Sequence, residues 1–62
     1  MLIRFTGLLG KEVLINSDEV VSIREAEAGI DSPKAKTVIV LSSGSFDVVE
    51  TFAEVEKKLN VL

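Results

Sequence analysis

Apolar and polar positions alternate with period two along most of this chain, then switch to a helical period near its end. In residues 2–6, Ile3 and Phe5 share one face and Leu2, Arg4 and Thr6 the other, as in a strand. Gly7-Leu8-Leu9-Gly10 breaks the pattern. Two glycines around two residues predict a tight hairpin turn, because glycine accepts the positive φ that such turns use. Residues 12–16 form the return strand, with Val13 and Ile15 alternating against Glu12 and Leu14. Asn16-Ser17-Asp18 is a cluster of turn formers. A third strand is expected over 19–25, with Val21 and Ile23 facing one way and Val20, Ser22 and Arg24 the other. A helix through 17–28 competes, since Glu, Ala and Arg favour helices. The β-branched Val20, Val21 and Ile23 weigh toward strand.

Gly29 and Pro33 punctuate a loop over 29–36 that carries Lys34 and Lys36 at its tip. Residues 37–42 read as a strand apolar on both faces, as a central strand would be. Ser43-Gly44 predicts another turn, and 45–49 the last strand. A helix follows over 51–60. Thr51-Phe52-Ala53-Glu54 fits a capping box, in which the Thr hydroxyl accepts from the Glu54 N–H and the Glu54 carboxylate accepts from the Thr51 N–H. Phe52, Val55 and Leu59, with Leu62 as an extension, form its apolar stripe, while Glu54, Glu56, Lys57 and Lys58 point outward.

The order predicts one α+β domain over residues 1–62: a mostly antiparallel β-meander of about five strands, then one C-terminal α-helix packed on the sheet. Phe5, Ile15, Ile23, Ile39, Phe46, Val48, Phe52, Val55 and Leu59 are the expected core. One short helix covers only one sheet face. Leu2, Leu14, Val20, Val38, Val40 and Val49 are then left for a second face, which either curls into a small barrel or meets another subunit. A homo-oligomer, a dimer or higher, is therefore expected, with those six residues as its candidate interface.

Composition sharpens this expectation. A chain of 62 residues without cysteine or histidine has no disulfide and no Cys/His metal site to support its small core. Self-association is the remaining aid. The longest apolar run, Val38-Ile39-Val40-Leu41, is far short of the ~20 residues of a membrane-spanning helix. The opening residues show no basic leader with a long apolar stretch, so the cytoplasm is the expected setting.

Candidate chemistry is sparse. Without histidine or cysteine the hydroxyl nucleophiles lack their usual base, and Ser43-Gly44-Ser45 does not have the form of a nucleophile elbow. No glycine-rich phosphate loop precedes Lys36-Thr37. The carboxylate pairs Asp18-Glu19 and Glu25/Glu27 fit a solvated strand end better than a cation site. No enzyme, cofactor or metal is expected. Nucleic-acid binding would need a basic face, and the net charge is −3. Its only candidates are Arg4, Lys11, Lys34 and Lys36.

A resemblance rests on the strand and turn residues. Met1-Leu2-Ile3, Thr6, Leu8, Gly10-Lys11-Glu12-Val13 and Ile15-Asn16 open it. Asp18-Glu19-Val20-Val21, Ile23, Thr37-Val38-Ile39 and Leu41-Ser42-Ser43-Gly44 continue it, and Val48, Glu50-Thr51 and Glu54-Val55 close it. In this order the chain resembles the small flagellar-operon proteins of the FlbD/SwrD family, with a longer segment at 26–36. Small bacterial and phage proteins of unknown function look similar. The later strands and helix are also similar to the first half of a LytTR-type DNA-binding domain, without its basic second half. Length and element order are similar to the carbon storage regulator RNA-binding dimers, whose interior residues do not match. The flagellar resemblance implies no catalytic residues. The expected function is a small non-catalytic structural, adaptor or protein-interaction module, associated with motility through that resemblance. The alternative is a nucleic-acid-binding regulatory module.

Overall fold

A computed structural model describes residues 1–60. Its elements are β1 (Leu2–Thr6), β2 (Glu12–Asn16), a 3-10 turn (Ser17–Glu19), β3 (Val20–Glu25), β4 (Thr37–Leu41), β5 (Gly44–Val48) and α1 (Phe52–Asn60). All strand pairs are antiparallel. They form two sheets, β1-β2 and β3-β4-β5, rather than one continuous meander. This is the α+β architecture expected from the sequence, with the sheet divided.

The division decides what covers what. Inward residues of both sheets and the helix build one core of Phe5, Ile15, Ile39, Val48 and Val55. Ile3, Val13, Val20, Ile23, Leu41, Phe46 and Leu59 pack around it. Each sheet therefore serves as cover for the other, and α1 completes the enclosure. The sheets join at a corner, where Gly7 bridges Val48 and the Val49 N–H donates to the Thr6 carbonyl at 3.0 Å.

Several local expectations change. The β1–β2 loop has three residues, not two: Gly7 pairs with Lys11, Gly10 N–H donates to Gly7 C=O at 3.0 Å, and Gly10 holds φ 80°. A turn followed by a left-handed glycine is the usual three-residue hairpin. The β4–β5 turn is Ser42-Ser43, with Gly44 already paired to Leu41. The third strand forms, over Val20–Glu25, and the competing helix through 17–28 does not; a single 3-10 turn, Ser17–Glu19, precedes the strand. Asn16 caps that turn, its side chain accepting from the Asp18 N–H at 3.0 Å.

Strand β3 also departs from simple alternation. Its register with β4 slips between Val20 and Ser22, so Val21 is an extra residue. Such a bulge resets the inward face. Val20 and Ile23 both pack on the core, while Val21 is 68% exposed. Val20 is thus core packing rather than interface, and Val21 is not the core residue that alternation predicted. Val38, also assigned to the interface, is 1% exposed within the chain itself. It lies in the central strand between its register partners Arg24 and Asp47.

The helix begins as its sequence demands. Thr51 N–H donates to Glu54 Oε1 at 3.0 Å, and Glu54 N–H donates to Thr51 Oγ1 at 3.2 Å. Val55 is fully buried and Leu59 packs beside the core. Phe52 is half-buried and lines a surface groove instead of the core. Leu62, the outer end of the expected stripe, lies outside the described residues. Lys58 does not point outward: its Nζ donates to the Arg4 carbonyl and stands 5.3 Å from the centre of the Phe5 ring. Replacing Thr51 by Ala removes the cap hydroxyl and is expected to cost about 1 kcal/mol, read as a lower denaturant midpoint with an unchanged slope.

Candidate interaction surface

Exposed apolar side chains collect on the outer side of the β1–β2 hairpin. Alternation turns Leu2, Arg4, Thr6, Glu12, Leu14 and Asn16 to that face. Leu2 is 62% exposed and Leu14 is 54% exposed. Because Leu2 pairs with Asn16 and Arg4 with Leu14, the two leucines are diagonal neighbours. Arg4 Nε lies 3.6 Å from Glu12 Oε2 beside them. The face is a small apolar pair framed by one exposed ion pair.

The six interface residues named from the sequence do not form one patch. Leu2 and Leu14 belong to the outer face of the first sheet. Val40 is half-buried on the outer face of the second, opposite Ser22 and Ser45. The two outer faces point away from a shared core, so they cannot meet the same flat partner. Val49 is half-buried at the sheet corner. Only Leu2 and Leu14 are brought together and left open.

The basic candidates are divided as well. Arg4 and Lys11 belong to the β1–β2 hairpin, Lys34 and Lys36 to the β3–β4 loop. Arg4 is paired with Glu12, and Lys36 lies near enough to Glu54 to favour its charged form. Each of these two cations has a carboxylate at hand, which reduces the positive potential a phosphate backbone would meet.

Two polar clusters escaped the sequence reading. The first fixes the long loop at 26–36. Arg24 donates to both Asp31 oxygens, at 2.8 and 3.1 Å, and the Glu27 N–H donates to Asp31 at 2.7 Å. The second centres on Glu50. Its carboxylate accepts from the Thr6 N–H at 3.0 Å and lies 4.0 Å from Lys58 Nζ. Its carbonyl accepts from the buried Thr37 hydroxyl at 2.7 Å. Asp31 before Ser32-Pro33 signals a turn, but nothing in the sequence names Arg24 as its partner. Glu50 bonds to a residue 44 positions away, beyond any local pattern.

Concave features are shallow. A groove of about 410 Å³ runs between α1 and the base of the long loop, lined by Glu25, Lys36, Thr51 and Phe52 among others. A second, of about 350 Å³, lies between the β1–β2 turn and β5, lined by Leu8, Leu9, Ser45, Phe46 and Asp47. Among the described residues, no three carboxylate, histidine or cysteine side chains gather as a metal site. No helix of the described residues is long and apolar enough to cross a membrane. No protein-family model matches the chain, and no match is found among curated proteins or solved structures.

Two predictions follow from the clusters. Glu50→Ala removes a charged acceptor from a sheltered backbone N–H and is expected to cost about 2 kcal/mol, with Glu50→Gln costing less than half as much, measured by chemical denaturation. Acid should act through Asp31 and Glu54. The Arg24 guanidinium, then the Glu27 N–H, hold the Asp31 carboxyl below its ordinary 3.8. The Thr51 N–H, then its hydroxyl, hold Glu54 below its ordinary 4.5. A carboxyl depressed in the folded state adds stability that is complete above its ordinary value and lost as pH falls through the folded one. Stability should therefore decline as pH falls below about 4.5. Asp31→Asn should flatten that decline in denaturation midpoints taken from pH 7 to pH 3.

Proposed function

We propose that this protein is a non-catalytic interaction module that associates with itself through the outer side of its β1–β2 hairpin. The observation that carries the reading is the pair Leu2 and Leu14, each more than half exposed and adjacent on one strand face. An apolar pair on a rigid sheet fits a protein surface better than a small molecule, which calls for an enclosing pocket with converging polar groups. Burying what both leucines still expose is worth about 2–3.5 kcal/mol before the costs of association. That is a weak contact by itself, suited to an adaptor or to one part of a larger interface. A role near the flagellum belongs to this reading through the resemblance of its strand and turn residues, and a cytoplasmic setting through the cysteine-free composition and the opening residues.

The alternative, a nucleic-acid-binding module, needs Arg4 and Lys11 of the β1–β2 hairpin to act together with Lys34 and Lys36 of the β3–β4 loop. Gel retardation at low salt distinguishes the two, since phosphate contacts are strongest there. The interaction reading expects no shift. Light scattering at micromolar concentration tests self-association directly. The expected particle is heavier than the 6.7 kDa chain, and Leu14→Glu should reduce it to that mass. A folded 6.7 kDa particle at every concentration defeats the reading.

A further inference from the structure

The hydrogen bonds of the β1–β2 hairpin fix which way each backbone group points. Gly7 N–H donates to Lys11 C=O at 2.8 Å, and Ser17 N–H donates to Met1 C=O at 2.8 Å. Between these ends the register pairs Ile3 with Ile15, Arg4 with Leu14 and Phe5 with Val13. Opposed residues in an antiparallel pair alternate between bonded and non-bonded. Lys11, Val13, Ile15 and Ser17 therefore turn their backbone groups toward β1. Glu12, Leu14 and Asn16 turn theirs to the open side of β2.

The other edges are closed or interrupted. On the far side of β1, Thr6 N–H is taken by Glu50 and Thr6 C=O by the Val49 N–H. The Arg4 carbonyl accepts from Lys58 at 2.6 Å. Strand β3 carries the bulge at Val21 and lies against α1. Strand β5 meets Gly7 through its bridge at Val48. On β2, the outward N–H and C=O groups of Glu12 and Leu14 and the Asn16 N–H have no protein partner among the described residues, while the Asn16 C=O begins the 3-10 turn it caps. This strand has no proline and no bulge, the devices that usually blunt an edge.

We propose that β2 pairs edge to edge with β2 of a second copy, antiparallel about a two-fold axis at Leu14. This rests on the self-association reading above but moves its contact from the Leu2/Leu14 face to the strand edge that borders it, and assigns that edge a register. Centred at Leu14, the pairing sets Leu14 against its own counterpart and Glu12 against the counterpart of Asn16. Leu14 then exchanges two backbone bonds with its counterpart, and each Asn16 N–H donates to a Glu12 carbonyl, while the Asn16 carbonyl, already used in the 3-10 turn, accepts from the Glu12 N–H only as a second bond. The next register toward the hairpin turn, centred at Val13, opposes Glu12 to Leu14 and moves Asn16 to Gly10, beyond the strand, so two outward pairs remain instead of three. The next register the other way, centred at Ile15, opposes Leu14 to Asn16 and sets Glu12 against Asp18, a like-charge opposition.

Polar chemistry agrees with the centred register. The Asn16 side-chain oxygen already accepts from the Asp18 N–H at 3.0 Å, which leaves its NH₂ to donate. The Glu12 carboxylate opposite is an acceptor. Leu2 and Leu14 of both copies then share one continuous outer face. A two-stranded sheet, marginal alone, becomes four-stranded. This self-complementarity selects a second copy over an unrelated strand.

Sedimentation and amide exchange on the whole chain test the proposal. Leu14→Pro removes one outward N–H and no bond to β1, and proline is tolerated on edge strands. It should weaken dimerisation about a hundredfold, while Leu14→Thr, which keeps the N–H, stays within about tenfold of the natural protein. Should Leu14→Pro fail to fold by circular dichroism, the natural protein decides: exchange at the Glu12, Leu14 and Asn16 amides should slow about tenfold or more as concentration rises into the dimer range. A dimer whose three amides stay unprotected, or one that survives Leu14→Pro, overturns the edge pairing and leaves self-association standing. A monomer at all concentrations overturns both. So does a monomer whose β2 amides become protected only by an added extended peptide.

Discussion

Glu50 is the junction on which the two-sheet arrangement depends. It lies between the end of β5 and the start of α1, where the chain must turn from sheet to helix. Its carboxylate holds the outward N–H of Thr6 in the first sheet, and its carbonyl holds the hydroxyl of Thr37 in the second. Lys58 approaches the same carboxylate from the helix while donating to the Arg4 carbonyl. Two sheets and a helix thus meet through one side chain and its backbone. Alone, the Val48–Gly7 bridge and the Val49–Thr6 bond would be a short hinge. With Glu50 the corner is fixed, and the inward faces close on Phe5, Ile39, Val48 and Val55.

That arrangement answers the constraint of size. A short chain without disulfides must bury its apolar surface with few elements. One sheet with one helix would leave a whole face wet. Folding the sheet against itself covers more with the same residues, which is why Val20 needs no partner subunit. The residual exposure is scattered: Met1, Leu2, Leu9 and Leu14 in or beside the hairpin, and Val21 and Ile30 elsewhere. Assembly then concerns a strand edge more than a broad apolar face.

Local signals in the sequence were sufficient for the elements. Alternation placed β1 and β2 at their observed bounds, and Thr51 with Glu54 marked the helix start. What remained hidden was long-range. The break between sheets depends on the Glu50 junction, and residues 6 and 50 have no common local pattern. The bulge at Val21 was equally hidden, since Val20 and Val21 are interchangeable to any rule of alternation. Lys58 looked like an exposed helix cation because no local pattern tells that its ammonium reaches the Arg4 carbonyl and stands 5.3 Å from the centre of the Phe5 ring. Of the candidate interface, Leu2 and Leu14 were legible because they are apolar residues on the polar side of an alternating strand. Val38 misled because a central strand is apolar on both faces whether or not a partner exists.

The same logic explains why β2 differs from its neighbours. Edges normally carry a device that prevents pairing. In this chain the devices are structural contacts made for other reasons: the Glu50 and Lys58 clamps on β1, the bulge on β3, the corner bridge on β5. Each follows from closing the core. Strand β2 lies farthest from the corner in the first sheet, so core closure gives it none. Its inward side chains Val13 and Ile15 are held by the core, which keeps the strand straight and its register fixed. A rigid, unblunted edge is what core burial leaves behind here, and its outward residues alternate so that acidic Glu12 and amide Asn16 flank Leu14 symmetrically. That symmetry about one residue makes the edge complementary to itself under a two-fold rotation, the simplest closed operation available to a single chain.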